Sequence, residues 1–187
     1  MKKMGLILFS ATLLLTACSA NNNTQKTSSS SSQTKVTLSS AEQKSLDKAT
    51  ADYKSFVQGQ IDQLLSDTEK FVGVLKEGKF DEAKKMYPLI RMSYERSEPI
   101  AESFGESDVK IDFRLADYLD ENKTEEGWSG FHRIEKILWE QNTTVGTESY
   151  ADQLVNDIKE LKAKVATVKV TPDIMLTGAV DLLNEVA

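Results

Sequence analysis

The sequence predicts an all-α protein, an antiparallel helical bundle, and three observations carry that expectation. Apolar residues recur at three- and four-residue steps over long stretches. Glycine and proline fall where such stretches should stop or start. No segment alternates apolar and polar residues convincingly enough to make a strand.

Taken in order, Leu38-Ser39-Ser40 leads into the first periodic stretch, in which Leu46, Tyr53, Phe56, Val57, Ile61, Leu64, Phe71, Val72 and Leu75 form one stripe. That stripe predicts an amphipathic helix of roughly thirty-five residues, stopped by Gly78. Asp81 is the expected cap of a second helix, with Ala83, Met86, Tyr87, Ile90, Tyr94, Ala101 and Phe104 inward. Pro88 and Pro99 should kink or split it. The Asp-rich stretch from Gly105 to Asn122 lacks helical periodicity and reads as an irregular connector. A short helix is expected from about Gly127 to Glu140. Another runs from about Glu148 to Val168, with Leu154, Ile158, Leu161 and Val165 inward. Thr171-Pro172 marks the start of the last, a capping residue followed by proline in the first turn. Burying these stripes against each other makes a bundle.

Upstream of the helices the chain reads differently. Lys2 and Lys3 precede a short apolar run from Leu6 to Leu15, too short to span a bilayer and suited to an export signal over residues 1–17. Leu15-Thr16-Ala17-Cys18 resembles the bacterial lipobox, which implies diacylglycerol on Cys18 and cleavage before it. Two acyl chains anchor a protein stably where one does so only marginally. Cys18 is the only cysteine, so no intrachain disulfide is available. Apart from Cys18, Ala20 and Val36, residues 18–37 are Ser, Asn, Gln, Thr and Lys, a composition that buries little and predicts a flexible spacer. The helical domain then covers 38–187, long enough for one core. Localisation would be extracytoplasmic, on a lipid tether at the cell membrane, as at a Gram-positive surface. No internal repeat appears at solenoid periods.

Charge narrows the function classes. The chain has 23 Lys and Arg against 29 Asp and Glu. Without Lys2 and Lys3 of the signal the balance is 21 against 29, a net −8. Such a surface has no electrostatic case for nucleic acid and suits cations.

The segment from Trp128 to Trp139 carries the chemistry. At about 100° per residue, Trp128, Phe131, Ile134, Leu138 and Trp139 share one arc, and His132 and Glu135 fall inside it. Arg133 and Lys136 fall outside. The only histidine and a carboxylate thus share the face expected to be buried, one turn apart. A buried carboxylate must be protonated, ion-paired or metal-bound, and neutral imidazole with carboxylate suits Fe, Zn or Cu. A hydrogen bond between the two is the plainer alternative. Glu95 and Glu98 form a second pair, with Glu98 bordering the apolar arc and Glu95 further out. Arg91, four residues before Glu95, makes an ordinary surface ion pair the alternative there. Two carboxylates from one helix and a His/Glu pair from another can converge inside a bundle.

Three stretches carry a family resemblance: Tyr87-Pro88-Leu89-Ile90-Arg91, then Tyr94 to Gly105 (YERSEPIAESFG), then Gly127 to Glu135 (GWSGFHRIE). Together they resemble the EfeO/EfeM lipoproteins of the imelysin-like, or M75 peptidase-like, superfamily, from about residue 40 onward. The resemblance implies an all-α bundle serving ferrous-iron uptake, with a ferrous-iron permease and a dye-decolorising-type haem peroxidase as partners. It also implies a metal site of His132, Glu135, Glu98, Glu95 and Asp112. Iron, Fe(II) or Fe(III), is the expected metal, with Cu(II) or Zn(II) as alternatives. The linker runs straight into the first helix, as in the short EfeM-like form without a cupredoxin domain. Family members continue past the point matching Ala187, which implies a bundle incomplete at its C-terminus and an uncovered apolar face.

Two rival classes stand beside an iron carrier. The superfamily label suggests a metallopeptidase, but the usual zinc-protease helix needs two histidines four apart and this chain has one in total. A non-enzymatic role is therefore expected. A lipoprotein binding an acidic polysaccharide through a metal is the other alternative, since a net −8 opposes direct contact with a polyanion.

Overall fold

The computed structural model describes residues 37–185. The stretches expected to be a signal peptide, a lipidation site at Cys18 and all but the last residue of a spacer lie outside the described residues.

Eight α-helices and one 3-10 turn follow in order, and no strand occurs among the described residues. Helix α1 (Ser40–Lys76) begins with a reciprocal cap. The Ser39 hydroxyl accepts from the Glu42 amide at 3.3 Å, and the Glu42 carboxylate accepts from the Ser39 amide at 2.7 Å. Gly78, at φ 72°, ends it, with amides 78 and 79 donating back to the Leu75 and Val74 carbonyls. The short turn reverses the chain into α2 (Phe80–Glu95), which lies back along α1 as an antiparallel hairpin. Of the predicted α1 stripe, Val57, Ile61, Leu64, Phe71, Val72 and Leu75 are buried. Phe56 is instead exposed, because it sits next to Val57 at the stripe's edge and stacks outside on Tyr53.

Two capping and kinking expectations need correction. Asp81 does not cap α2: the cap position is Lys79, which makes no side-chain cap bond, and Asp81 lies in the first turn. There its charge still complements the helix dipole. Pro88 leaves α2 unbroken, since it faces solvent where water can take the bond that proline cannot make. The break falls at Arg96 and Ser97, and Pro99 lies in the first turn of α3 (Glu98–Ala101), followed by a 3-10 turn (Glu102–Phe104).

The stretch from Gly105 to Asn122 is also helical, against expectation. It forms α4 (Glu106–Ile111) and α5 (Leu115–Asn122). Each is too short to show a repeating stripe, and α5 buries no residue, so periodicity had nothing to register. Helix α6 spans Phe131–Glu140, starting four residues later than expected, and α7 spans Glu148–Thr167. Leu154, Ile158, Leu161 and Val165 of α7 are all buried, packed on α1. Lys54 of α1 donates to the Ala166 and Val168 carbonyls at the end of α7, placing a cation at that helix's negative pole. Helix α8 (Pro172–Glu185) starts as predicted, with the Thr171 hydroxyl accepting from the Ile174 amide. It packs on α3, so closely that a Cβ on Gly178 would lie 2.2 Å from the Pro99 carbonyl oxygen. Its Leu176, Val180 and Leu183 remain exposed. No described helix is long and apolar enough to cross a membrane.

Candidate metal centre

Three contacts just ahead of α6 position its histidine. The Trp128 indole donates to the Phe113 carbonyl at 2.7 Å, and the Ser129 hydroxyl donates to the Lys110 carbonyl at 3.2 Å. Gly130, at φ 87°, lies so close to α4 that a Cβ there would sit 2.4 Å from the Ile111 carbonyl oxygen. Residues 128–130 are thus pinned across the end of α4, and Asp112, which ends α4, is brought to His132 in the first turn of α6. Trp128 is therefore buried through this strap and not on the α6 face where helical spacing put it.

His132 is held from one side and open on the other. Its Nδ1 lies 2.7 Å from Glu135 Oε2, one turn along the helix. Its Nε2 is buried without a hydrogen-bond partner and stands 3.8 Å from Asp112 Oδ1. The bond to His132, with Arg91 nearby, holds the Glu135 carboxyl below the usual carboxylate range. The expected burial of this pair is only partial, because His132 keeps 21% and Glu135 40% of side-chain exposure. Both sit at the margin of the arc, where α6 opens onto a cleft of about 410 Å³ also lined by Trp128 and Trp139. Trp139, expected inward, is 40% exposed and packs its ring against Tyr87. Arg133 and Lys136 are as shielded as His132, since both ion-pair with Glu125 from the preceding loop and lie over Trp128.

The second carboxylate group comes from α2, α3 and α4. Arg91 ion-pairs with Glu95 through one arm and with Asp112 through the other, and its guanidinium lies over the rings of Tyr94 and Phe131. What sequence spacing suggested as a surface pair is a 13%-exposed cation bridging two helices. Glu98 follows on α3, and burial, reinforced by the charge of Glu95, pushes its carboxyl up to about 8. Asp108, which the sequence reading did not single out, accepts from the buried Tyr94 hydroxyl at 2.6 Å. A cleft of about 310 Å³ is lined by Glu98, Asp108, Asp112 and Asp117 together with Phe113 and Arg114. Asp112 borders this acidic cleft while His132 and Glu135 border the other, so the imidazole and its facing carboxylate form part of the wall between them.

Among the described residues no three His, Cys, Asp or Glu side chains close on one point tightly enough to hold an ion as they stand. Arg91 gives the physical reason, because its guanidinium draws Glu95 and Asp112 to itself. The donors still fit a metal. Two metal bonds of about 2.1 Å meeting at a wide angle span roughly the 3.8 Å between His132 Nε2 and Asp112 Oδ1.

The sequence of this helical scaffold matches the family model described as imelysin (Peptidase M75) over residues 49–187. The chain belongs to the imelysin family. Among imelysin relatives, an Efem/EfeO family lipoprotein of Staphylococcus haemolyticus (strain JCSC1435) is 49% identical over 189 residues, covering all of this chain and 65% of that protein. Efem/EfeO family lipoproteins of Staphylococcus aureus strains NCTC 8325 / PS 47 and COL are 50% identical over 143 residues, 76% of this chain and 50% of theirs. This imelysin chain therefore spans between half and two thirds of the relatives' own length.

The raised Glu98 carboxyl has a consequence for metal-free protein. Between its ordinary value near 4.5 and about 8, the folded state keeps a proton that the unfolded state has lost. Stability should therefore fall as pH rises through that window and level off above it. Glu98→Gln removes the ionisation. Thermal unfolding of both proteins across the window should show the variant gaining on wild type as pH rises. A constant difference would mean that Glu98 titrates normally.

Proposed function

We propose that this chain is a cell-surface carrier of iron, the extracytoplasmic component of a ferrous-iron uptake system, tethered by lipid on Cys18. The observation that carries the reading is His132 itself. Its Nδ1 is occupied by Glu135 and its buried Nε2 faces Asp112 across a gap of metal-bridging size. Metal-binding imidazoles are commonly oriented by a carboxylate on their other nitrogen. Asp112 and His132 would provide the first two donors, and Glu95 and Glu98 would join as the ion replaces the charge of Arg91. Glu135 orients the ring and lies within reach of the same side chain. Oxygen donors with one imidazole suit iron, with Cu(II) or Zn(II) as competitors.

The lipoprotein names of the staphylococcal relatives support the surface location. The resemblance supplies the partners, a ferrous-iron permease and a dye-decolorising-type haem peroxidase. A carrier, unlike an enzyme, needs only to bind and release, and displacement of Arg91 and of the Glu98 proton gives the site a way to do both. Calorimetric titration of the protein with Fe(II) under anaerobic conditions, and with chelated Fe(III), tests the reading. One ion per chain is expected, bound more tightly toward pH 8 than at pH 5, because binding displaces the Glu98 proton. No saturable binding in either oxidation state would reject it.

A further inference from the structure

We propose that Arg91 sets the ion selectivity of the site, as a tethered cation that keeps Ca(II) off its carboxylates. This rests on the iron-carrier reading and deepens it, from the residues that bind to the ions they refuse. Arg91 already holds two of the proposed donors, Glu95 through one arm and Asp112 through the other. Its charge also reaches Glu98 and Glu135, so one cation acts on all four carboxylates of the set. It is 13% exposed and always charged, so neither solvent nor ordinary pH removes it.

Without that cation the carboxylates would suit calcium. Glu98 and Asp112 line one cleft with Asp108 and Asp117, and clustered carboxylate oxygens are the donors that Ca(II) takes. With Arg91 in place, an incoming ion must first displace a guanidinium from two carboxylates. Calcium gains only oxygen contacts in exchange. Iron gains in addition a bond to the imidazole, a nitrogen donor that suits transition metals. His132 Nε2 stands 3.8 Å from the same Asp112 oxygen that Arg91 holds, so the added bond forms where the guanidinium leaves. The aromatic faces can keep the displaced charge, because the guanidinium already lies 5.9 and 5.4 Å from the ring centroids of Tyr94 and Phe131.

Calorimetric titration and thermal melting test this on the full chain, with calcium chloride and with Fe(III) supplied as its nitrilotriacetate complex. Wild type should show no saturable calcium binding, and millimolar calcium should leave its melting temperature unmoved. Arg91→Gln should melt lower than wild type in chelator, because Asp112 loses its partner inside the protein. Calcium should bind this variant saturably and raise its melting temperature. Iron should bind it about 10-fold tighter than wild type, since no charged hydrogen bonds need breaking first. An arginine with a merely structural role would give the reverse, looser iron binding on removal. Lysine is a point charge that cannot fork to two carboxylates, so Arg91→Lys should admit calcium more weakly than Arg91→Gln. Calcium ignored by Arg91→Gln, calcium bound equally by wild type, or iron bound no tighter by the variant would each overturn the assignment and leave the carrier reading intact. Failure of wild type to bind any iron would overturn both. Should Arg91→Gln fail to fold, Arg91→Lys decides: calcium uptake supports the assignment and its absence refutes it.

Discussion

Alanine at both His132 and Glu135 is expected to lower iron affinity by on the order of 100-fold or more while leaving the fold in place. The size follows from the two roles combined. Disturbing only the group that orients a metal-binding imidazole commonly costs about 10–100-fold, and this variant also removes the imidazole. The fold should survive because neither side chain belongs to the buried core. That part of α6 is secured by Phe131, Ile134, Ile137 and Leu138, and the pair lies at its margin. Calorimetry reads the affinity and circular dichroism the melting transition. Glu135→Gln separates the roles, since it keeps a hydrogen-bonding partner for the ring and should bind iron better than the double variant. Equal binding by wild type and double variant would remove His132 from the site.

The second large effect is expected at Gly130, which touches no ion. Alanine there meets two penalties at once. A backbone at φ 87° and ψ −168° costs a residue with a Cβ about 1–3 kcal/mol, and the new carbon would sit 2.4 Å from the Ile111 carbonyl oxygen. Backbone cannot step aside as a flexible side chain can, so relief of the overlap adds roughly 1–3 kcal/mol. Together these destabilise by about 2–6 kcal/mol and lower the melting temperature by roughly 5–20 °C. The site should suffer as well. Moving the 128–130 strap off α4 alters the His132–Asp112 spacing, so iron affinity should fall even in the fraction that stays folded. Gly146→Ala serves as the comparison, because Gly146 also has positive φ, at 88°, but nothing within 4 Å of an added Cβ. It should lose only the first amount. Equal losses at the two glycines would show that the strap does not press on α4.

The contrast between these glycines illustrates how much of the molecule could be read from sequence. Long helices were legible because burial of one face forces apolar residues into a 3.6-residue rhythm, and α1 and α7 are long enough to display it. Their ends were legible where chemistry dictates them, at Gly78 and at Thr171-Pro172. Helices α4 and α5 were not, since six and eight residues give at most two turns and no repeated stripe. The same gap hid Asp108, which becomes interesting only once α4 brings it to Tyr94. The pairing of His132 with Glu135 could be anticipated, because one helical turn separates them whatever the rest of the chain does. Their neighbour Asp112 came from family resemblance, for no spacing rule connects residues twenty positions apart through a strap of loop. Arg91 was the least legible of all. Its spacing to Glu95 describes an ordinary surface pair, and only the placing of Asp112 at the end of α4 and of the Phe131 ring against it turns it into a shielded cation.

An imidazole from α6 and carboxylates from α2, α3 and α4 are expected to converge on a single ion. Anomalous diffraction at the iron absorption edge, from crystals of the iron-loaded protein, tests it directly. A single strong peak is expected within bonding distance of His132 Nε2 and an Asp112 oxygen, with the Arg91 guanidinium displaced from Asp112. A peak elsewhere on the chain, or Arg91 still bridging Glu95 and Asp112 in fully loaded crystals, would contradict it.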